Sequence, residues 1–546
     1  SPIIGKISQD YLSLVNWCQY ITCFMTEESK KTSNSIIKSS SHFGITTLIS
    51  RITGFLRDVL FANYFGASAS TDAFFIAFKI PNFFRRLFGE GSFTQAFIPV
   101  LQEYKINKAN ELSEFVQSIF GNLFFILLLI TAVGMIFSKE LIYLFAPGFI
   151  NNPELTSLAS QMLFITFPYL LFISLTAMCS GIFNSYNRFI LSGITPVFLN
   201  LTLILFTIFS SLFVIPIVSL SYGVLVAGVI QLLIQFPLMY KLGFLKFPKI
   251  NFSNNGSVKV IKLMGPAILG TAAVQINLVV DTLVASLFVS GSISWLYFSD
   301  RLVELPLALF GIAISIVMLP VLSEYFQKKD FEKYTITLHK SIQLAFFIAI
   351  PSMIGLVILS APIVSTLFMY GNFETHDANM TSLSLITYSL GLPAFIFLKI
   401  LVTAFYSRQD IKTPVRYSLI GISINIAINI TVLFFYLNDP FVGAHALVAL
   451  STSTSAWIQV ILMTKKLNEL GIIQDGLFLN SLSFKVVLST IAMASVLFFS
   501  EGGILFESET SPLERVSNLI SYLLIGILVY FISLRLFGTK IKDYRL

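Results

Sequence analysis

Apolar runs long enough to cross a bilayer recur along the whole of this 546-residue chain, and they leave it few ways to fold. A helix needs about 20 mostly apolar residues to span the hydrocarbon core. No water is present there to pair with exposed N–H and C=O groups, and a helix pairs them within its own segment. Fourteen such runs can be read, at 42–64, 72–101, 115–137, 158–184, 190–214, 218–241, 260–289, 293–322, 336–360, 379–406, 413–437, 441–464, 482–500 and 515–538. The first two are amphipathic and stand low on hydropathy alone. Short connections make neighbouring helices antiparallel and leave no room for a soluble domain. The expected fold class is an all-α polytopic membrane protein.

Charge placement gives an independent reading. Cationic side chains concentrate in alternate connections. Lys30, Lys31 and Lys38 precede the first run, Lys105 and Lys108 follow the second, and Arg188 follows the fourth. Lys241, Lys246, Lys249, Lys259 and Lys262 follow the sixth, and Lys328, Lys329, Lys333 and Lys340 the eighth. Arg408, Lys412, Arg416, Lys465 and Lys466 continue the series, and Lys540, Lys542 and Arg545 close the chain. The odd connections, such as 63–71, 289–294, 374–377 and 501–514, are neutral or acidic. Both termini are therefore expected in the cytoplasm, with an even number of spans. The net charge of +7 is accounted for by these loops and does not point to nucleic acid.

Against 55% hydrophobic and only 12% charged residues, five arginines stand out. Arg51 and Arg57 interrupt the first run, Arg85 and Arg86 lie within the second, and Arg301 falls in the eighth. An Arg at a helix centre costs about 2.5–3.5 kcal/mol on insertion scales, so it persists by facing water or a charged partner. The pattern suggests an internal positive cavity and an anionic substrate. Ser50, Gly54 and Arg57 share one helix face by three-and-four spacing. The second run adds Asp72, Lys79, Pro81 and Glu90, and Pro81 is expected to bend or open it. Asp58, Asp300 and Glu304 read equally as charge partners of the arginines, and Arg85 and Arg86 as a cytoplasmic helix end. In the seventh and eleventh runs, Asp281, Asn425 and Asn429 could bind sodium or take up a proton. Interhelical hydrogen bonding accounts for them as well.

The chain carries a second copy of part of itself. Pro99-Val100-Leu101-Gln102-Glu103-Tyr104 returns as Pro320-Val321-Leu322-Ser323-Glu324-Tyr325. Asp58 to Ala62 returns loosely as Asp281 to Ala285, and Phe183 to Asn187 as Phe405 to Gln409. Three anchors in one order, at an offset of about 221–223, indicate a duplicated six-span unit. An even unit keeps both copies in the same orientation, as in transporters with two lobes about a central cavity. The expected division is an extension over 1–40, an N-lobe over 41–241, a cytoplasmic linker over 242–259, a C-lobe over 260–466, and two further spans within 467–546.

Several classes are disfavoured. The sequence has no G-x-x-x-x-G-K-[ST] loop, so direct drive by ATP is not expected. Cys18, Cys23 and Cys179 lack metal or redox spacing, the four histidines are scattered, and no catalytic constellation appears, so no cofactor is expected beyond a coupling ion or the membrane potential. Residues 11–25 are mildly amphipathic without a signal-peptide pattern. A surface-lying helix, an unstructured leader and an appended segment all fit them.

The stretches Ser50 to Asp58, Thr71-Asp72-Ala73-Phe74-Phe75 and Pro81 to Gly91 closely resemble the opening of the MurJ (MviN) family, the bacterial lipid II flippases. Lys262 to Ala267, Ser299 to Leu302 and Phe405 to Pro414 extend the likeness, which runs from about residue 34 to the C-terminus. The resemblance implies the multidrug/oligosaccharidyl-lipid/polysaccharide exporter fold with fourteen helices, in a bacterial inner membrane. It places the family's cavity arginines on Arg51, Arg57, Arg85 and Arg301 and its second-span carboxylate on Asp72, and these five, with Ser50, are expected to bind the substrate. Lipid II, with a diphosphate, a peptide carboxylate and a long isoprenoid tail, is the implied substrate. The last two spans would then shape a groove for that tail. A sodium site known in some members is matched only in part by Asp281, Asn425 and Asn429. An antiporter of organic cations from the same superfamily would need an acidic, aromatic cavity. A scaffold for wall-synthesis proteins, which are also candidate partners, would not need arginines at membrane depth. Fourteen spans and a duplicated core suffice for a monomer.

Overall fold

The computed structural model describes residues 30–87, 93–186, 188–473, 481–501 and 511–539. Glu90, residues 1–29 of the expected extension and the C-terminal cluster Lys540, Lys542 and Arg545 lie outside them. The described residues are helical, without strands. Eleven helices among them are long and apolar enough to cross a membrane. The chain is a multi-pass membrane protein. The expected first, second and seventh spans are not among the eleven. The first two carry the arginines that lower their hydropathy.

Helix α1 (Lys30–Phe65) begins ahead of the expected span, so residues 30–40 continue it. Helix α2 (Ala69–Phe84) is capped by Ser68, whose side chain accepts from the Thr71 N–H. Pro81 cannot donate to the Ala77 carbonyl one turn back. The Thr166 hydroxyl fills that place, donating to Ala77 O at 2.8 Å. A wide turn follows at 85–87, and the chain resumes as α3 (Thr94–Asn107). The eighth run breaks similarly. Helix α12 (Ser292–Pro306) widens into a π turn at Leu307–Ile312 and continues as α13 (Ala313–Gln327).

The other breaks also come in pairs. In the first half, α4 (Leu112–Ile136) is followed by the short α5 (Ser138–Phe145), then by α6 (Pro153–Thr166) and α7 (Tyr169–Ser185), which are separated at Phe167-Pro168. In the second half, α14 (Phe331–Ile358) is followed by the short α15 (Ser360–Phe368), then by α16 (Thr375–Ser389) and α17 (Leu392–Ser407). The first half ends with α8 (Phe189–Ile208), α9 (Val218–Leu233) and α10 (Phe236–Lys241). Helix α11 (Asn255–Ser286) opens the second half, and α18 (Lys412–Asn438) and α19 (Ala444–Glu469) complete it. Helices α1 and α8 pack together, as do α11 and α18. Helices α20 (Ser481–Glu501) and α21 (Pro512–Leu536) pack on each other and on α14 and α15.

The connection between the halves is fastened down. Asn122 on α4 receives the Asn251 N–H and donates to the Asn251 carbonyl, both at 2.8 Å. The Lys249 N–H donates to Gln117 O at 3.3 Å. Gly121 lets the strap lie flat, since a Cβ there would stand 2.4 Å from Lys249 O.

Gly134 shows the packing limit inside the first half. A Cβ on it would meet the buried Phe167 ring at 2.0 Å, whereas one on Gly355 of α14 would meet nothing within 4 Å. Overpacking of this kind costs about 1–3 kcal/mol. Gly134→Ala is expected to lower the thermal unfolding midpoint of the purified protein, and Gly355→Ala to leave it unchanged or slightly raised. Equal midpoints for the two variants would contradict this packing.

Candidate functional site

The two halves meet at Asp58. Arg57 is buried on α1 and donates to Asp58 Oδ1 from Nε and Nη2, at 3.0 and 2.7 Å. Its Nη1 donates to Asn200 Oδ1 on α8 at 2.9 Å, and Nη2 also reaches the Tyr297 hydroxyl on α12 at 3.0 Å. Tyr297 donates to Asp58 Oδ1 at 3.0 Å and stacks on Phe75 with ring centroids 3.9 Å apart. Arg301, one turn along α12, lies over the Tyr297 ring at 4.9 Å. Its Nε is 4.0 Å from Asp58 Oδ2, while Nη1 donates to Glu304 at 2.7 Å. Arg57 and Arg301 thus arrive from different halves at one carboxylate.

These two arginines differ in availability. Arg57 and Asp58 have side chains only 9% and 4% exposed, whereas Arg301 and Glu304 are 36% and 46% exposed. Breaking a buried pair by removing one partner costs about 3–5 kcal/mol. An exposed pair contributes about 0–1 kcal/mol. Arg57 is therefore held by the fold, while Arg301 can exchange Glu304 for another anion at small cost.

Asn200 also fills the helix face at Gly54. Its amide donates to Ser50 O at 2.9 Å and to Thr53 Oγ1 at 3.2 Å, and it would stand 3.3 Å from a Cβ on Gly54. Arg51 is half-buried nearby on α1. Neither Asn200 nor Tyr297 is singled out by the sequence patterns. A lone Asn in an apolar run is a usable signal; nothing marks Tyr297.

Other charged residues lie between the halves and remain accessible. Lys79 donates to Thr282 Oγ1 on α11, and Arg86 reaches Gln275 Oε1 at 3.4 Å. Arg85 is turned back onto its own helix, with Nε donating to Asn82 Oδ1 at 3.1 Å. Asp300 is exposed. This set carries three cations on one half and Arg301 with two carboxylates on the other.

Asp72 has another setting. It is buried, and it accepts from the Gly291 N–H at 2.7 Å and from the Ser294 N–H and hydroxyl at 2.8 and 2.5 Å. A carboxylate from the first half thus caps the N-terminus of α12 in the second, where free N–H groups and the helix dipole favour negative charge. A seam of backbone contacts lies at the same end. Asn372 donates from its N–H to Asn63 O at 2.9 Å and from its side chain to Tyr64 O at 2.5 Å. Gly66 and Gly371 have φ of +60° and +59°, and a Cβ on either would stand within 2.4 Å of the opposite backbone. Gly148 donates to Ser286 Oγ at 3.2 Å. The connections after the expected first, third, seventh and ninth spans therefore gather at one end and close it.

Asp281, Asn425 and Asn429 are brought together inside the second half. Asn429 donates to Asp281 Oδ1 at 2.8 Å and to Asn425 Oδ1 at 3.1 Å. Thr452 donates to Asp281 Oδ2 at 2.9 Å, and Ser451 to Asn429 Oδ1 at 2.7 Å. Asn425 donates to Ser451 and Thr452 at 3.0 and 3.2 Å. The cluster is closed on itself and contains one carboxylate. Among the described residues no group of three or more His, Cys, Asp or Glu could hold a metal. A sodium ion here would rely on amide and hydroxyl oxygens, with the amide hydrogens turned away.

The fold is shared with solved transporters, among them members of the multidrug/oligosaccharidyl-lipid/polysaccharide exporter superfamily. A multidrug-resistance transporter of that superfamily, solved facing inward, superimposes with a TM-score of 0.61 over 78% of this chain and 95% of its own, at 14% identity. A solved lipid II flippase MurJ in an inward closed conformation gives a TM-score of 0.76 at 31% identity, covering 91% of this chain and 98% of that one. The family profile of lipid II flippase MurJ matches residues 61–507. A probable lipid II flippase MurJ of Buchnera aphidicola subsp. Schizaphis graminum is 41% identical over 516 residues, covering 93% of this chain and 98% of the relative. One of Vibrio cholerae is 38% identical over 534 residues, covering 94% and 98%. The chain belongs to the lipid II flippase MurJ family, whose members are transporters rather than enzymes.

The burial contrast sets a stability test. Asp58→Ala leaves Arg57 without its buried partner and is expected to cost about 3–5 kcal/mol. Glu304→Ala should cost under about 1 kcal/mol. Chemical or thermal unfolding of both variants in one detergent measures the difference. A destabilisation by Glu304→Ala equal to that by Asp58→Ala would refute the assignment of a fixed and an exchangeable arginine.

Proposed function

We propose that this chain moves lipid II from the cytoplasmic to the periplasmic leaflet of a bacterial inner membrane by alternating access. Membership of the family carries the substrate, and the meeting of Arg57 and Arg301 at Asp58 across the two halves carries the mechanism. The proposed topology is fourteen spans, counting α1, the α2–α3 pair and α11 with the eleven apolar helices. Residues 41–241 and 260–466 are then parallel six-span lobes about a central cavity, joined by a cytoplasmic linker at 242–259. The recurrence of the same helix breaks in the same order supports that division. Residues 467–546, with α20 and α21, form the groove for the isoprenoid tail, and both termini face the cytoplasm. The basic even connections support that orientation, which places the closed end on the periplasmic side.

In this reading Arg51, Arg57, Arg85 and Arg301, with Ser50, surround the diphosphate. The planar guanidinium fork suits diphosphate because it makes paired, charge-assisted bonds. Arg301 is the arginine that changes partner, leaving Glu304 for phosphate. Asp58, Lys79, Glu90, Asp300 and Glu304 act as gating or charge partners of the arginines between cycles. Asp72 holds the periplasmic end shut while substrate enters from the cytoplasm. Lobe rotation separates Arg57 from Arg301 and releases the anion outward. Asp281, Asn425 and Asn429, joined by Thr452, are the proposed point of entry for a coupling ion, sodium or a proton, with the membrane potential as the other source of drive. The abundance of arginine disfavours an organic cation as substrate.

Exposure of lipid II to an external reagent, in cells depleted of their own flippase, tests the proposal. Arg57→Ala and Arg301→Ala should abolish translocation at normal membrane insertion, and the Lys variants should retain part of it. Wild-type translocation by both Ala variants at equal expression would refute the arginine mechanism. A parent chain unable to expose lipid II would refute the substrate.

A further inference from the structure

The last helix grips the closed end. Arg515 lies in the first turn of α21 and is buried, 4% exposed. Its Nη1 donates to Met369 O at 3.2 Å, and its guanidinium lies over the Tyr370 ring at 5.8 Å. Met369 and Tyr370 begin the connection between α15 and α16. Just beyond them, Gly371 and Asn372 form the backbone seam with Asn63, Tyr64 and Gly66. The connection is anchored on its other side as well. Tyr370 donates to Thr366 O at 2.8 Å, and Glu374 and Asp377 make a capping box at the start of α16. The seam loop is thus a short span of backbone between α15 and α16, and Arg515 is a grip on it from outside the paired helices. An Arg buried at such a position is costly unless its bonds are needed, and a charge-assisted bond to a carbonyl is about twice as strong as a neutral one. An open cavity of about 400 Å³ lined by Tyr370, Glu374, His376 and Arg515 adjoins the loop.

We propose that Arg515 is a positioning residue for transport, coupling α20 and α21 to the closed end by holding the 369–372 loop in the geometry that pairs with 63–66. Displacement of α21, by a lipid tail packed against it or by the bilayer, withdraws the guanidinium and frees the loop. The inference rests on the reading of that end as the periplasmic gate. It adds a part for the last two helices beyond lining a groove.

The test compares the parent with Arg515→Met, which keeps much of the length of the side chain without its donors, and Arg515→Lys, which keeps one charged donor. Spin labels are placed at the exposed positions Glu154 and Asn379, one on each half, after Cys18, Cys23 and Cys179 are replaced by Ser. Interlobe distances are recorded in nanodiscs with and without lipid II. Loss of the charge-assisted bond to Met369 O should raise the open-to-closed ratio of Arg515→Met about tenfold, with Arg515→Lys between it and the parent. Arg515→Met should also lose the response of that ratio to lipid II. An Arg515→Met distribution matching the parent in both states would overturn the proposal. A parent with a single distance under every condition, while still translocating lipid II, would instead overturn the reading of this end as a gate. If Arg515→Met fails to insert, Tyr370→Leu, which removes the ring beneath the guanidinium, should raise the ratio in the same direction; no change in it would overturn the proposal.

Discussion

One carboxylate ties the two halves of this protein together. Asp58 neutralises Arg57, takes the Tyr297 hydroxyl and stands 4.0 Å from Arg301. Coulomb attraction is strongest where water is excluded, and Asp58 is 3% exposed. Removing Asp58 leaves Arg57 without compensation, and removing Arg57 leaves Asp58 with only the more distant Arg301, in a place where charge is costly. The surrounding packing serves this arrangement. Asn200 fixes Arg57 from α8, and Phe75 fixes Tyr297 from α2. Arg301 is the member placed at the wet edge, so the junction is fixed on one side and adjustable on the other.

The contact made by Asp72 uses a different source of attraction. Its partners are two backbone N–H groups and a hydroxyl at the start of α12 rather than a cation. Such a contact adds no opposite charge to be stripped of water when the ends close. The glycine seam beside it is likewise built from backbone. Charged side-chain pairs therefore set the chemistry between the halves, while contacts made largely to backbone groups set their closure.

Much of the architecture is legible in the sequence because bilayer thickness is a strict ruler. Arg57, Arg301, Asp58 and Asp72 are visible because an apolar run keeps a charge only against water or a polar partner. Their partners are harder to see. Tyr297 is ordinary in a membrane helix until its hydroxyl is found between two charges. Asn200 is separated from Arg57 by 143 residues, and no spacing rule reaches so far. Arg57 and Arg301 look alike in sequence, and only burial distinguishes them. The short helices α5 and α15 escape a reading of hydropathy because each continues an apolar run and bends it only after a break at Phe137 or Leu359. Thr452 and Ser451 give no signal of the Asp281 cluster, since small hydroxyls are common in membrane helices.

The strap over α4 turns the connection between the halves into a very short tether. Asn251 is pinned through both its backbone groups, and α11 begins at Asn255. Only 252–254 are left to take up slack, a reach of about 10 Å at full extension. A leash of that length lets α11 swing about its own start but does not let it travel. The large excursions available to the second half are therefore rotations with their pivot near Asn254, and the greatest displacement falls at the far end of the lever, where Asp72 and the glycine seam stand.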